Sequence, residues 1–599
     1  MKEPLFSSGA TAIENVALFC YNWPMSKILL VAVNASYSHT NLAVRYLKYY
    51  AQNKISSASS NCSASIEFAE FTINQNEGEI LRGISDFSPE IVIFSTYIWN
   101  ATIVSKLIPE IAKIIPDCAV GAGGPEFGYW AEGYLKKLPE LDFVMSGEGE
   151  ETFSQLASAF ADGKYSKEKL KEIPGLYISE KNGKPLFTGP REPLCDLSAL
   201  PFPYPEITEP DTKIHYYESN RGCPFSCSYC LSSVEKKVRF MPLERVYKDL
   251  QRFLNAKVRL VKFVDRTFNL NPERYINIWK YILSHHNGKT MFHFEIEAEY
   301  LSEEALEFLK QVPSGVMQFE IGVQSANPET LKAISRSSEL KKLAENIRRI
   351  PKTIHSHLDL IAGLPYEDLK SFGKSFDFVM NLRPDALQLG FLKILHGTSM
   401  ERYATENGWK WMQTPNYETF STPYLSYQDM MFLKDVETLL DVFYNSGTFA
   451  TTTEYIFRHI SPWNFFCPVT EIARKNNALQ SARKESYWFD FLAHLELKNG
   501  TICELNAKPS ERTDCLYDLL RYDFVRQGKK GNFPEWYCHH YDKDKHRKLL
   551  EQNGGIHNSR LDFGYSEYEV FNFNPESESP ENTCGHHEIL IKYIRKQNL

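Results

Sequence analysis

Asn220-Arg-Gly-Cys-Pro-Phe-Ser-Cys-Ser-Tyr-Cys-Leu231 sets Cys223, Cys227 and Cys230 in a C-x3-C-x2-C spacing on one short loop. Three closely spaced thiolates can hold three irons of a cubic four-iron, four-sulfur (4Fe-4S) cluster and leave the fourth iron without a protein ligand. Two other readings fit less well. A structural zinc site closes with four ligands, and the nearest further candidates are His215 and Cys195. A disulfide framework is dense in cysteine, whereas this chain has 12 Cys in 599 residues.

Downstream of the loop, apolar strand-like runs alternate with helical periodicity, the pattern of an α/β fold. A strand over His215–Ser219 leads into the loop, and a helix over Leu243–Leu254 follows it. Strands are expected at Arg259–Val264, Met291–Ile296, Val316–Gly322, His357–Ile361 and Ala386–Phe391, with a helix over Pro272–Ser284 and an N-cap at Ser302. These are six β/α units, and in barrels of parallel strands the active site lies at the carboxyl ends of the strands. The polar residues there are Asp265-Arg266-Thr267, Glu295 and Glu297, Gln324-Ser325, Asp359, Lys393 and His396. Singly, each can be a charge satisfying its neighbours.

The cysteine loop, with aromatic Tyr229 just before its last Cys, resembles the signature of the radical S-adenosylmethionine (SAM) enzymes. Gly322-Val-Gln-Ser325 and Asp359-Leu-Ile-Ala-Gly-Leu-Pro365 are similar to the fourth and fifth strand motifs of that family. The resemblance implies an open six-stranded partial barrel and a cluster on Cys223, Cys227 and Cys230 whose open iron is chelated by the amino and carboxylate groups of SAM. Phe225 and Tyr229 would wall the SAM site, and Gln324, Arg336, Asp359 and a glutamate of the third strand, Glu295 or Glu297, would contact SAM. It also implies a flavodoxin- or ferredoxin-type electron donor.

Residues 26–165 follow a different logic. Lys27–Val33 is a continuous apolar run, the mark of a strand buried on both faces, and it ends in the polar Asn34-Ala-Ser-Tyr-Ser-His-Thr-Asn41. Glu90–Phe94 ends in Ser95-Thr-Tyr-Ile-Trp-Asn100, Ala119–Glu126 ends in a Gly pair, and Asp142–Glu150 ends in Gly-Glu-Gly-Glu. A doubly wound sheet gathers such loops at its carboxyl edge, where ligands bind. The loop order is similar to the cobalamin-binding domain that precedes the barrel in one large branch of the radical SAM family. That likeness implies cobalamin contacts from Ser36, Tyr37, His39, Ser95, Thr96, Tyr97, Gly123, Gly124 and Glu148. The cobalt-coordinating Asp-x-His-x-x-Gly of such domains is absent, and Ser36, Ser38 and Asn41 stand in its place.

The expected architecture is an extension over 1–25, a Rossmann-like cobalamin-binding domain over 26–165 and a proline-rich linker over 166–205. A partial (β/α)6 radical SAM barrel over 206–400 and a mainly helical C-terminal domain over 401–599 complete it. Helical periodicity is expected at Tyr427–Tyr444 and Tyr487–Leu497. Two His/Cys groups, Cys538-His539-His540 and Cys584-Gly-His586-His587, read as surface histidines rather than a second metal site. No apolar run reaches the roughly 20 residues of a membrane span, and Asn15–Met25 lacks the basic flank of a signal peptide, so a cytoplasmic protein is expected. A net charge of −8 gives no drive toward nucleic-acid phosphates. By resemblance the expected activity is reductive cleavage of SAM to a 5′-deoxyadenosyl radical for methyl transfer to an unactivated carbon. A rearrangement, cyclisation or oxidation is the alternative, and an electron-carrying cluster protein a more distant one.

Overall fold

The computed structural model describes residues 28–58, 65–161, 166–180, 183–208, 211–336, 339–528, 533–552 and 566–593. The extension expected over 1–25 lies outside them. Strands β1 (Ile28–Asn34), β2 (Ile66–Thr72), β3 (Ile91–Ser95), β4 (Ala119–Gly123), β5 (Phe143–Met145), β6 (Leu176–Ile178) and β7 (Leu186–Phe187) form one sheet ordered β2-β1-β3-β4-β5-β6-β7. The first five are parallel, and β6 and β7 are antiparallel additions. Alternate residues of β1 feed different cores: Leu29, Val31 and Val33 pack on one face, Ile28, Leu30 and Ala32 on the other. Burial on both faces is why this strand is apolar without alternation. The winding reverses between β1 and β3, which opens a crevice at their carboxyl ends.

The stretch 166–205, expected as a linker, instead contributes β6 and β7 to the first sheet, with Thr188 Oγ1 donating to the Ile173 and Leu176 carbonyls. Both strands are three residues or shorter, too short to show a period. The expected strands also omitted β2, which is half-buried at the sheet edge.

The second sheet holds β8 (Ile214–Tyr217), β11 (Leu260–Phe263), β12 (Met291–Ile296), β13 (Met317–Gln324), β14 (His355–Ala362) and β15 (Ala386–Phe391), ordered β15-β14-β13-β12-β11-β8. All neighbours are parallel. A short antiparallel hairpin, β9 (Asn220–Arg221) with β10 (Arg239–Phe240), brackets the cysteine loop. Along β13, Met317, Phe319, Ile321 and Val323 are buried while Gln318, Glu320, Gly322 and Gln324 are partly exposed, so one face packs on helices and the other is polar.

The barrel is open between β8 and β15, and each free edge is covered by another part of the chain. At β8, the Ile214 N–H donates to Ser38 O (2.7 Å), while Thr40 donates to Ile214 O through its N–H (3.3 Å) and Oγ1 (2.8 Å). At β15, the Asn445 side chain accepts from Leu387 N (3.0 Å) and donates to Leu387 O (2.9 Å), completing the hydrogen bonding of an edge residue as a neighbouring strand does.

The C-terminal region is mainly helical, with the hairpins β16 (Lys410–Trp411) and β17 (Thr419–Ser421), β18 (Leu495–Lys498) and β19 (Thr501–Glu504), and β20 (Ser566–Phe571) and β21 (His587–Lys592). The helix expected at Tyr427–Tyr444 runs Tyr427–Leu440 and ends in a π-turn, Asp441–Asn445. That expected at Tyr487–Leu497 is Glu485–Ala493, and β18 starts two residues later. Leu433, Val436 and Phe443 share one core with the barrel. No described helix is long and apolar enough to cross a membrane.

Candidate active site

The cysteine loop is irregular backbone, and its hydrogen bonds tie it to fixed elements. Gly222 opens it at φ +91°, where a Cβ would lie 2.3 Å from Lys237 O, so glycine is required. The Cys223 N–H donates to Glu235 O (2.9 Å) and the Ser228 N–H to Ile334 O (2.9 Å), and Ser228 O accepts from Met400 N (2.9 Å). Asp265, wholly buried, accepts from Ser219 N (2.6 Å), Ser219 Oγ (2.6 Å) and Asn220 N (3.0 Å), and burial pushes its carboxyl up to about 7. It is spent on anchoring the entry to the loop.

Cys223 and Cys227 are buried and Cys230 is half-buried. Among the described residues no three His, Cys, Asp or Glu side chains converge on one metal ion. A cubic cluster takes one thiolate per iron, so three separated thiols on one loop fit it. The C-terminal histidines form no such group either: Cys538 and His540 are 3.4 Å apart and exposed, and His539 stacks on Phe533.

The residues expected around SAM divide into a bonded pair and two lone acids. Arg336 Nη2 bridges both Glu297 oxygens (2.8 and 2.6 Å) and Gly322 O (2.5 Å). Gln324 sits at φ +68° beyond a bulge in the β13–β14 register. Asp359 Oδ1 is buried without a partner, and burial, then the charges of Glu320 and Glu295, push its carboxyl up to about 8. Burial likewise raises Glu295, which lies near Arg266, Glu320 and Lys262. Phe225 packs on Tyr300 at 5.7 Å between ring centres, and Tyr229 packs against the Leu331, Leu364 and Leu392 cluster. Asp359 Oδ1, Arg336 Nε and both amide atoms of Asn220 are buried without hydrogen-bond partners, polar valence of the kind a ligand such as SAM satisfies.

Beneath this ring, Glu320 pairs with Lys262 (3.1 Å) and His293 (3.0 Å), and its carboxyl falls to about 2, chiefly through the His293 hydrogen bond. This polar layer was missed because its members come from three separate strands.

At the carboxyl edge of the first sheet, the Ser95-Thr96 and Gly123-Gly124 loops interlock. Thr96 donates to Gly123 O through N (2.7 Å) and Oγ1 (2.8 Å), and Gly124 (φ +104°) approaches so closely that a Cβ would lie 2.5 Å from Thr96 O. Thr96 is fully buried and holds the loops together, whereas Tyr97 stacks on Trp99 at 4.3 Å. Ser95 is buried, and Ser36 bonds Ser38 (2.9 Å). Tyr37, Trp99 and Tyr129, on the segments after β1, β3 and β4, stand 77%, 47% and 43% exposed.

Two residues expected to face cobalamin are placed on the seam with the barrel. His39 Nδ1 bonds Tyr216 OH at 2.5 Å, and His39 bridges Ile214 of β8. Glu148 is held by Arg239 (2.5 Å), Arg221 (3.4 Å) and the Leu194 N–H (2.8 Å), and Glu150 by Arg221 (2.5 Å). The Gly-Glu-Gly-Glu turn therefore clamps the hairpin that frames the cysteines. Burial raises the pKa of Tyr129, which lies within electrostatic reach of Glu235, Cys230 and Arg266. On the C-terminal side, Glu126 is buried between the hydroxyls of Tyr134 (2.6 Å) and Tyr417, and Trp130 stacks on His396, which pairs with Glu401 (2.6 Å).

Comparison with known proteins agrees with this layout. Residues 28–157 match the family model described as B12 binding domain, residues 217–379 that of the radical SAM superfamily, and residues 405–570 one described as a protein of unknown function (DUF4080). An uncharacterized methyltransferase of Pyrococcus horikoshii is 26% identical over 57% of this chain and 75% of its own length. The cobalamin-dependent radical SAM methyltransferase TokK of Streptomyces tokunonensis is 26% identical over 49% of this chain, which spans only 45% of that relative. Among solved structures, the cobalamin-dependent SAM radical enzyme OxsB with aqua-cobalamin and SAM bound superposes with a TM-score of 0.54 at 17% identity, over 84% of this chain and 75% of that one. The methyltransferase TsrM of Kitasatospora setae, with cobalamin and a 4Fe-4S cluster bound, gives 0.53 at 15%, over 66% and 79%. The chain is a radical SAM enzyme with an N-terminal B12-binding domain, and its cofactors are a 4Fe-4S cluster, SAM and cobalamin.

Proposed function

We propose that the chain is a cobalamin-dependent methyltransferase that acts on an unactivated carbon. The observation that carries this reading is the seam. The loop after β1 is hydrogen-bonded to edge strand β8, and the Gly-Glu-Gly-Glu turn is ion-paired to the cysteine hairpin. These bonds tie the carboxyl-edge loops of the first sheet to the edge strand and the cysteine hairpin of the barrel. When bound, the cluster with SAM supplies a radical able to take hydrogen from an unactivated carbon, and cobalamin supplies a transferable methyl group.

The chain's own residues position and exclude. Cys223, Cys227 and Cys230 would hold the cluster. Arg336, Glu297, Gln324 and Asp359 would orient SAM, Phe225 and Tyr229 would wall it, and Glu295 would face it from β12. Ser36, Tyr37, Ser95, Tyr97, Gly123 and Gly124 would receive the corrin. His39 is held at the seam through its Nδ1 by Tyr216, and the Asp-x-His-x-x-Gly motif is absent from the loop after β1. With both cofactors bound, Tyr97, Trp99 and Tyr129 would help to keep water from the reacting groups, which protects a radical from quenching. We assign the electron donor to the flavodoxin or ferredoxin class and the protein to the cytoplasm, and with a net charge of −8 we expect no nucleic-acid substrate.

The test is anaerobic incubation of the reconstituted protein with SAM and a low-potential reductant, followed by mass spectrometry. The reading expects 5′-deoxyadenosine together with S-adenosylhomocysteine, the product of methyl donation. 5′-Deoxyadenosine alone would replace methyl transfer with a rearrangement, cyclisation or oxidation.

A further inference from the structure

Arg336 touches two sites at once. Its Nη2 is bound by Glu297 and Gly322 O, while its Nη1 lies 3.8 Å from the Cys227 sulfur. The contact is held by backbone on both sides. Ile334 O, two residues before Arg336, accepts the Ser228 N–H from the residue after Cys227. On the other side the Glu297 backbone is clamped by Asn269, which accepts from its N–H (2.9 Å) and donates to its carbonyl (2.8 Å). The guanidinium is nearly buried, with 9% of its side chain exposed, so water does little to screen its charge from the sulfur.

We infer that Arg336 is a positioning residue that sets the reduction potential of the cluster through Cys227, with Glu297 as its counter-charge. The inference rests on the cluster being held by Cys223, Cys227 and Cys230. Reduction adds one electron to the cluster, and a cation hydrogen-bonded to a ligand sulfur stabilises that added charge. Glu297 offsets part of the effect. The arrangement lets one side chain match the ease of reducing the cluster to the occupancy of the pocket beside it.

The test is an EPR-monitored redox titration of the reconstituted full chain without SAM. Arg336→Met is expected to lower the midpoint, cutting the ratio of reduced to oxidised cluster at fixed potential about tenfold, equivalent to about 59 mV for a one-electron couple. Arg336→Lys, which keeps the charge without the fork, should fall between Arg336→Met and the wild type. Glu297→Gln should raise the midpoint, because the guanidinium loses its counter-charge. A wild-type midpoint in Arg336→Met overturns the inference. If Arg336→Met does not retain iron, an unchanged or lowered midpoint in Glu297→Gln overturns it equally. Failure of the wild type to assemble a cluster would instead overturn the proposed function, and this inference with it.

Discussion

Asp359 shows what the cofactor pocket costs the empty protein. Its Oδ1 is buried without a partner and burial pushes the carboxyl up to about 8, so it stays protonated in the folded chain while the unfolded chain ionises it above about 4. Between those values the unfolded state binds fewer protons, and stability falls as pH rises through the window. Asp359→Asn removes that penalty. Denaturant unfolding of the cofactor-free variant should match wild type at pH 4 and exceed it at pH 9 by up to about 5 kcal/mol, the linkage value for a shift of about four units; a gap of equal size at both pH values would rule this out. Gly124→Ala places a Cβ against Thr96 O at φ +104°, so corrin retention after desalting should drop severalfold while iron content is unchanged. The three cysteines were readable because their spacing is local. Glu148 and His39 were placed with cobalamin by motif order, yet their partners Arg239 and Tyr216 lie 91 and 177 residues away. Such long-range pairs carry no local signal, and the only cue was that Arg221 stands directly before the Gly-Cys of the loop.

Elements with a clear period were read correctly, down to Pro272–Ser284, which the structure repeats without change, and the Ser302 N-cap, which accepts from Ala305 N. All six barrel strands were anticipated, because β8, β11, β13, β14 and β15 bury alternate residues and β12 is an apolar run broken only by His293 and Glu295. The misses are short or at edges: β2 shows one buried residue in seven, and β6 and β7 have three and two residues. The π-turn at Asp441–Asn445 was also unreadable, since its role is to aim one amide at β15. Asn445→Ala leaves Leu387 with an unpaired N–H and C=O. It should lower stability by about 1–3 kcal/mol and speed amide exchange at Leu387 more than at the centre of β14. Equal exchange at both strands would show that the edge is protected by something else.

Taken whole, the molecule is an open barrel whose two free edges are closed by its neighbours, the first domain at β8 and the C-terminal region at β15. The barrel is therefore not an independent unit, and a chain beginning at residue 206 should aggregate or unfold at least about 5 °C below the full protein, as thermal denaturation would register. An unchanged melting point would mean the seam is only a contact. The same seam ties the B12-binding domain to the cysteine hairpin, so one chain should hold two independent cofactor sites. The most direct measurement is the absorption spectrum of protein reconstituted anaerobically with iron, sulfide and hydroxocobalamin and then desalted, beside that of the Cys223→Ala, Cys227→Ala, Cys230→Ala variant. The wild type should show cluster and corrin bands, and the variant should lose the cluster band alone. A cluster spectrum with no corrin bands in the wild type would contradict this.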